Sequence, residues 1–564
     1  MSTNINSSPR QVRFAVACKP NDDSIVRRAA TYPKHNWDYD SVQSLTSKYV
    51  GEPYLGRANK LKAEVKVMLE KALEPINQLE LLDTLQRLGL AHHFVDEAKN
   101  ILKSMFHDTH IEDTETKADL YATALEFRLL RQHGHLVPQE VFNRFKDERG
   151  NFRANVCSDI KGMLHLYEAS YYSVEGESIL DDARNFTSKH LENYVKQCDS
   201  NEYLSMLVIH TLETPLAWRV LRFEASWFIK LYESQQNMEP ILLELAKLDF
   251  NMTQATHQEE LKHSSSWWKK TGLAEKLDFV RAWSMESFFW SVGFKSEPEF
   301  GYFRRMMTKV IQLTTVLDDI YDVYGTLNEL ELLTDVIVRW DINAMDQLPH
   351  YMKLYFLTLY NSVNEMAYDF LKDQGFNIIP YLKKAWAAVS KSFLLEAKWY
   401  HAGYTPTLEE YLENGWISIT VPTMLRHAYF WVTNPIKMEK LQYLEEFPNV
   451  IRWSCIIVRL LDDLATSSDE QKRGDAPKSI QCYMHDTGAS EEEAYDHIRN
   501  VVFETWKKIN GDRFSNPIFF ETHTEVSLNI VRTSQSTFLH EEGYEVAIPK
   551  AKDLMRSILV DPIN

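Results

Sequence analysis

The sequence predicts an all-α protein built as two helical domains. Three observations carry this. Only 18 Gly and 19 Pro punctuate 564 residues. Alternating apolar–polar runs of the β type are few. Long stretches instead repeat apolar residues at the helical period: Leu313, Val316, Leu317 and Ile320 fall on one face. Ala58 to Glu74 interleaves charged and apolar residues in the same way. No internal repeat of roughly 20–50 residues marks a solenoid. The polar stretch Ser234 to Asn237 interrupts the pattern, which places a boundary there and gives domains 21–237 and 238–564. Gly403 to Pro406 reads as an interhelical loop inside the second domain.

Composition narrows the function. Apolar residues make up 44% and charged residues 25%, the values of a globular protein with a sizeable core. A net charge of −18 lacks the basic footprint of nucleic-acid binding. No apolar run approaches the ~20 residues of a membrane span, so a soluble protein is expected. Five scattered cysteines without a CxxC fit a reducing compartment. Aromatics reach 12%; most belong to the core, and a minority could line a pocket for an apolar or cationic guest. Met1 to Pro20 carries Arg10, Arg13 and Lys19, several hydroxyls and no acid. That is the composition of an organelle transit peptide over residues 1–20, which predicts a plastid protein; a disordered tail on a cytoplasmic protein is the alternative.

Two carboxylate stripes carry the chemistry. In Leu317-Asp-Asp-Ile-Tyr-Asp-Val-Tyr-Gly325, Asp318 and Asp322 lie four residues apart, one above the other on a helix. Like charges stacked beside Leu317 and Ile320 call for a cation between them. Hard oxygen donors, too few for a full cage, suit Mg²⁺, which keeps waters and shares phosphate ligands. Asp462, Thr466 and Glu470 follow an i, i+4, i+8 rhythm that projects three oxygens along one stripe. Either segment alone reads more readily as a solvated acidic face. Two such stripes, both beside apolar helical runs, do not. Arg459 shares the face of Asp462, and Lys478 follows on a loop. Cations beside a metal cluster imply a polyanionic substrate, and a diphosphate fits.

The DDIYD at 318–322, the DDxxTxxxE pattern at 462–470 and Arg27-Arg28-x8-Trp37 together resemble plant terpene synthases of the monoterpene-forming, angiosperm kind. Phe127-Arg-Leu-Leu-Arg-Gln-His-Gly134, Leu166-Tyr-Glu-Ala-Ser170 and Ser479-Ile-Gln-Cys-Tyr483 agree, and the resemblance runs from about Ser24 to the C-terminus. It implies an N-terminal helical barrel-like domain and a C-terminal class I terpenoid synthase α-helical domain. It implies three Mg²⁺ (or Mn²⁺) ions, two held by Asp318 and Asp322 and the third by Asp462, Thr466 and Glu470. Arg281, Arg459 and Lys478 match diphosphate-binding positions, and Trp290 an aromatic of the pocket wall. Asp318, Asp322 and Arg459 are then the catalytic set. Arg27 and Arg28 match a strand that caps the site. The implied substrate is an isoprenyl diphosphate, and a monomer is expected. The DxDD motif of protonation-initiated cyclases is absent, so Asp181-Asp182 reads as a structural helix start.

Three segments depart from the family pattern. The usual Arg-x-Arg reads Arg281-Ala-Trp283, the usual Tyr-x-His-Gly-Asp-Gly reads Phe538-Leu-His-Glu-Glu-Gly543, and the helix break, often Ser-Gly-Pro, reads Ile419-Thr-Val-Pro422. The phenylalanines of isoprene-forming relatives are Ile311 and Val458 here, so a shortened pocket is unsupported. Geranyl diphosphate is the expected substrate, with farnesyl diphosphate as alternative. A chain-elongating prenyltransferase would carry a second DDxxD where Thr466 and Glu470 stand. A catalytically impaired binding protein is the remaining reading, through Trp283.

Overall fold

The computed structural model describes residue 27 and residues 37–109, 119–200, 202–436, 438–473, 475–515, 521–538 and 544–564. The transit-type segment 1–20, Arg28 and residues 539–543 of the altered C-terminal loop lie outside them. Among the described residues the only β feature is an isolated bridge between Lys146 and Phe152. No helix among them is long and apolar enough to cross a membrane.

Helix ends follow local chemistry. Pro53, Pro75, Pro240 and Pro422 sit in first turns, where a missing N–H costs nothing. Thr326 with Glu329 and Thr407 with Glu410 form capping boxes. Helix Ile379–Ala402 stops at Gly403, whose φ of 62° is left-handed, and helix Leu408–Ser418 starts after Thr407. The 403–406 loop is therefore an interhelical connection.

The N-terminal half packs helices Leu120–Gln132, Ile160–Ser170 and Ser178–Val195 side by side. Inside it, Arg87 pairs with Glu168 at 2.7 Å and with Asp83 at 3.0 Å. Each of these three buried charges thus has a partner, without which burial would be prohibitive. Helix Leu221–Glu233 ends at the polar 234–237 stretch, and helix Pro240–Thr271 begins just beyond it. Packing crosses that point. The N-terminal apolar core also takes in Leu242 to Leu261, Met285 to Val292 and Met555 to Ile563.

The long helix Pro240–Thr271 holds the C-terminus by a ladder of amides. Asn251 donates to the Ile563 carbonyl (2.7 Å), Gln254 to Ile558 (3.2 Å) and Gln258 to Leu559 (3.0 Å). Carbonyls at the end of helix Tyr544–Leu559, which have no partner within their own helix, are satisfied this way. Asp181 lies in the first turn of helix Ser178–Val195 and pairs with Lys507 at 2.9 Å, while Asp182 pairs with Lys146 at 3.0 Å.

Two helices of the second half matter most. Gly301–Asp319 is almost wholly buried and packs on Pro240–Thr271, Ser284–Phe294 and Val421–Val432. Asn449–Arg473 packs on Thr522–Phe538, Glu491–Ser515 and Leu408–Ser418. The first delivers Asp318, and the second delivers Asp462, Thr466 and Glu470.

Candidate active site

Helix Gly301–Asp319 runs directly into a π-helical turn, Ile320–Tyr324. The aspartate motif is therefore not one continuous α-helical face, as its spacing predicts. Asp322 sits in a wider turn closed by the Gly325 N–H on the Ile320 carbonyl at 2.8 Å. Gly325 is required by space: a β-carbon there would fall 2.8 Å from the Ile320 oxygen.

Adjacent aspartates divide the work. The Asp318 carboxylate is 34% exposed and that of Asp319 fully buried. Asp319 accepts from the Arg281 Nε at 2.7 Å and from its backbone N–H at 2.8 Å. The Arg281 Nη2 reaches Asp318 as well. The second motif repeats the pattern. Asp462 is 23% exposed and bonded to Arg459; Asp463 is fully buried. Asp463 takes Arg459 at 2.6 Å, the Tyr411 hydroxyl at 2.9 Å and the Ser479 N–H at 3.2 Å. Neighbours on a helix point about 100° apart, so one aspartate can face outward while the next faces the packing. Asp319 and Asp463 thus hold the two arginines in place. Spacing alone does not single them out.

Lys478 joins the motifs. It is 5% exposed and begins the helix Ser479–Thr487. Burial disfavours its charge, yet Glu470, Asp322 and Glu396 raise its pKa well above the usual value. Glu396, on helix Ile379–Ala402, is a further carboxylate of the site and accepts from Asn414 at 2.9 Å. Its sequence mark is slight: a lone acid after Phe393-Leu-Leu. Burial, with Asp318 adding to it, lifts the Asp322 carboxyl well above the usual range, against Lys478. Burial also raises Asp462 from 3.8 to about 6, with Arg459 opposing and Glu470 and Asp463 adding. Arg459 stays strongly basic despite burial because Asp463, Tyr411 and Asp462 surround it. Thr466 donates its hydroxyl hydrogen to the Asp462 carbonyl at 2.8 Å, which leaves oxygen lone pairs free to ligate. A partly exposed set of oxygen donors, in which Asp322 and Asp462 are buried and crowded enough to resist ionisation, fits hard divalent cations.

The remaining predicted residues lie around this centre. Arg281 and Trp283 stand in the non-helical link between helices Leu273–Lys276 and Ser284–Phe294. The guanidinium of Arg281 lies 4.8 Å from the Trp283 ring centre, a cation–π contact. Trp290 packs against Phe294 and, at 5.7 Å, Phe538. Thr420 has a φ of 67°, a strained value for a β-branched residue, where the chain passes from helix Leu408–Ser418 to helix Val421–Val432. Arg27 donates to the Tyr324 carbonyl at 2.9 Å and to both Glu329 oxygens, at 2.8 and 2.9 Å. It also lies over the rings of Tyr324 and Tyr351. It is thereby fastened two residues beyond Asp322.

An all-helical bundle that aims two oxygen-rich stripes at one buried lysine defines a class, the metal-dependent helical enzymes. Residues 36–212 match the family model described as terpene synthase, N-terminal domain, and residues 269–508 that described as terpene synthase family, metal binding domain. The chain belongs to the terpene synthase family. It is 55% identical over 562 residues to a Vitis vinifera protein named (-)-alpha-terpineol synthase, covering 100% of this chain and 95% of that one. It is 55% identical over 555 residues to a Quercus ilex protein named myrcene synthase, chloroplastic, covering 98% and 93%. Among solved structures, limonene synthase with 2-fluorolinalyl diphosphate matches with a TM-score of 0.91 at 43% identity, over 96% of this chain and 100% of that one. Isoprene synthase from grey poplar, in complex with three Mg²⁺ ions and dimethylallyl-S-thiolodiphosphate, matches with a TM-score of 0.86 at 43% identity, over 94% and 99%.

Proposed function

We propose that this terpene synthase is a monoterpene-forming carbon–oxygen lyase that ionises geranyl diphosphate and releases diphosphate. The observation that carries the reading is the meeting of Asp322 from the first motif with Glu470 from the second at Lys478. Asp318 and Asp322 would hold two Mg²⁺ ions, or Mn²⁺, and Asp462, Thr466 and Glu470 a third. Bound there, the ions neutralise the charge that develops on the leaving diphosphate. Arg281, Arg459 and Lys478 add fixed donors on the same side, already oriented by Asp319, Asp463 and the start of helix Ser479–Thr487. The allylic C–O bond breaks heterolytically, and its electron pair leaves with the diphosphate. The allylic cation then needs a site without water. Trp290 and Phe538 offer aromatic surface for it, each ring face worth about 1–2 kcal/mol when desolvated. Cyclisation, proton loss or water capture ends the reaction. The two relatives of equal identity carry different product names, so identity at this level does not fix the product.

The domain division at 237/238, a monomeric state and a plastid location are part of this reading. The location rests on the composition of residues 1–20 and on the chloroplastic name of the oak relative. Ile311 and Val458 leave the positions that carry phenylalanine in isoprene-forming relatives unfilled, which favours a ten-carbon substrate.

The deciding experiment incubates purified protein with geranyl diphosphate and Mg²⁺, without isopentenyl diphosphate. Diphosphate release with monoterpenes by gas chromatography is expected. Release only when isopentenyl diphosphate is added would identify a prenyltransferase. Binding without release would identify an impaired protein, and a faster reaction with farnesyl diphosphate would overturn the substrate.

A further outcome concerns Trp283. Trp283→Arg places a second guanidinium on the side of Arg281. At about 6–8 Å and an effective dielectric of ~20, one added charge pair with diphosphate contributes roughly 2–3 kcal/mol. Activity is expected to persist, with diphosphate retained longer beside the cation and a larger cyclic fraction by gas chromatography. Unchanged rates and products would make Trp283 a packing residue only.

A further inference from the structure

A second cluster of ligating groups lies away from the aspartate motifs. The turn Ala91–His93 sets two adjacent histidines against helix Pro240–Thr271. His93 Nε2 is 2.6 Å from Asp249 Oδ1. The His92 and His93 rings stand 3.7 Å apart, centre to centre. His92 Nδ1 is 3.1 Å from the Gly89 carbonyl oxygen. A carbonyl only accepts, so Nδ1 carries the proton and Nε2 keeps its lone pair. That Nε2 is buried and has no hydrogen-bond partner among the described residues. One ligand atom from each of His92, His93 and Asp249 lies within 4.8 Å of the others. A histidine whose second nitrogen is fixed by a backbone carbonyl is oriented as metal-ligating histidines are.

We propose that His92, His93 and Asp249 form a Zn²⁺ site, separate from the aspartate centre, with water in the fourth position. Two imidazoles and one carboxylate suit Zn²⁺, whereas the all-oxygen aspartate stripes suit Mg²⁺. Glu297 also acts on His92 but is held by Lys295 at 2.8 Å, so it does not complete the set. The ion takes the place of the hydrogen between His93 Nε2 and Asp249, and that hydrogen moves by way of solvent to His93 Nδ1, so that a neutral imidazole ligates through Nε2. Their contact opens to about 3.3 Å, the ligand spacing on a tetrahedral ion with bonds of about 2.0–2.1 Å. The site fastens a turn of the N-terminal half to the long helix that leads into the catalytic half.

The test uses the full chain in excess Mg²⁺. One equivalent of Zn²⁺ per chain is expected to remain after dialysis, and Co²⁺ to give the visible absorption of a four-coordinate site. Both should persist in the Asp318→Asn/Asp462→Asn double variant. Both should vanish in His92→Gln, which leaves the His93–Asp249 bond in place, and in Asp249→Asn. Zn²⁺ should raise Tm in the wild type and not in His92→Gln. No retained Zn²⁺, or equal retention in His92→Gln, overturns the proposal. Loss of the Zn²⁺ in the double variant also overturns it, by placing the ion among the aspartates.

Discussion

Asp322→Asn is expected to lower turnover by about 10³-fold or more while leaving the metal-free protein at least as stable as the wild type. The kinetic half follows from the loss of one ligand oxygen beside the leaving group, a loss on the order of 4 kcal/mol in the transition state. The stability half follows from the crowding. Burial and Asp318 already hold the Asp322 carboxyl above its usual range, so an amide of the same shape replaces a group that resists charge. Asp462 gives the pH window. Between its ordinary 3.8 and about 6, the folded chain keeps a proton that the unfolded chain has released. Metal-free stability therefore falls as pH rises through that window, and the penalty is complete above it. Asp462→Asn should flatten that dependence. Because the same protons compete with metal, Mg²⁺ should raise Tm at pH 7.5 and much less at pH 5. Steady-state diphosphate release and thermal melts with and without Mg²⁺ check all of this. Near-wild-type turnover of Asp322→Asn at saturating Mg²⁺ would remove Asp322 from the metal set.

Arg459→Ala should lower kcat and kcat/KM together, each by roughly 10²–10³, the scale of one preorganised donor lost. The residue is held by Asp462 and Asp463, and its side chain passes Gly415 so closely that a β-carbon there would sit 3.3 Å from Arg459 Cγ. Its position is thus fixed before substrate arrives. Among the described residues, alanine also leaves Asp463 with Tyr411 and the Ser479 N–H, so a loosened fold adds to the loss. Arg459→Lys separates the two effects: it keeps a charge near Asp463 but gives up the planar fork. Lysine should restore Tm and recover only a fraction of kcat. A rise in KM with kcat unchanged would reduce Arg459 to a binding group.

The helical class and the second oxygen-bearing stripe, Asp462, Thr466 and Glu470 on one helix, were legible because both depend on periodicity along one chain. The i, i+4, i+8 spacing needs only the pitch of a helix to become a surface. Other features depend on partners distant in sequence. Nothing local distinguishes Asp318 from Asp319 or Asp462 from Asp463; the packing of Arg281, Tyr411 and Ser479 decides which one turns inward. The spacing of Arg281 and Trp283 does not tell whether they point together; the helix stops at Lys276 and resumes at Ser284, and in that link the two side chains meet. The π-helical turn at Ile320 leaves no mark in spacing, since the same residues fit an α-helical turn. Glu396 has no motif around it and becomes a site residue only through Lys478 and Asp322.

The three bonds of Asp463 set a limit on transplanting this chemistry. Copying Asp462, Thr466 and Glu470 onto another helical scaffold would move the donor oxygens, because they need only one helix. The aim of Arg459 would stay behind. It depends on Asp463, which is itself fixed by a hydroxyl from helix Leu408–Ser418 and a backbone N–H from helix Ser479–Thr487. The smallest transferable unit is therefore three helices in register. A designer who grafts the linear motif alone should obtain a metal binder with an unaimed arginine.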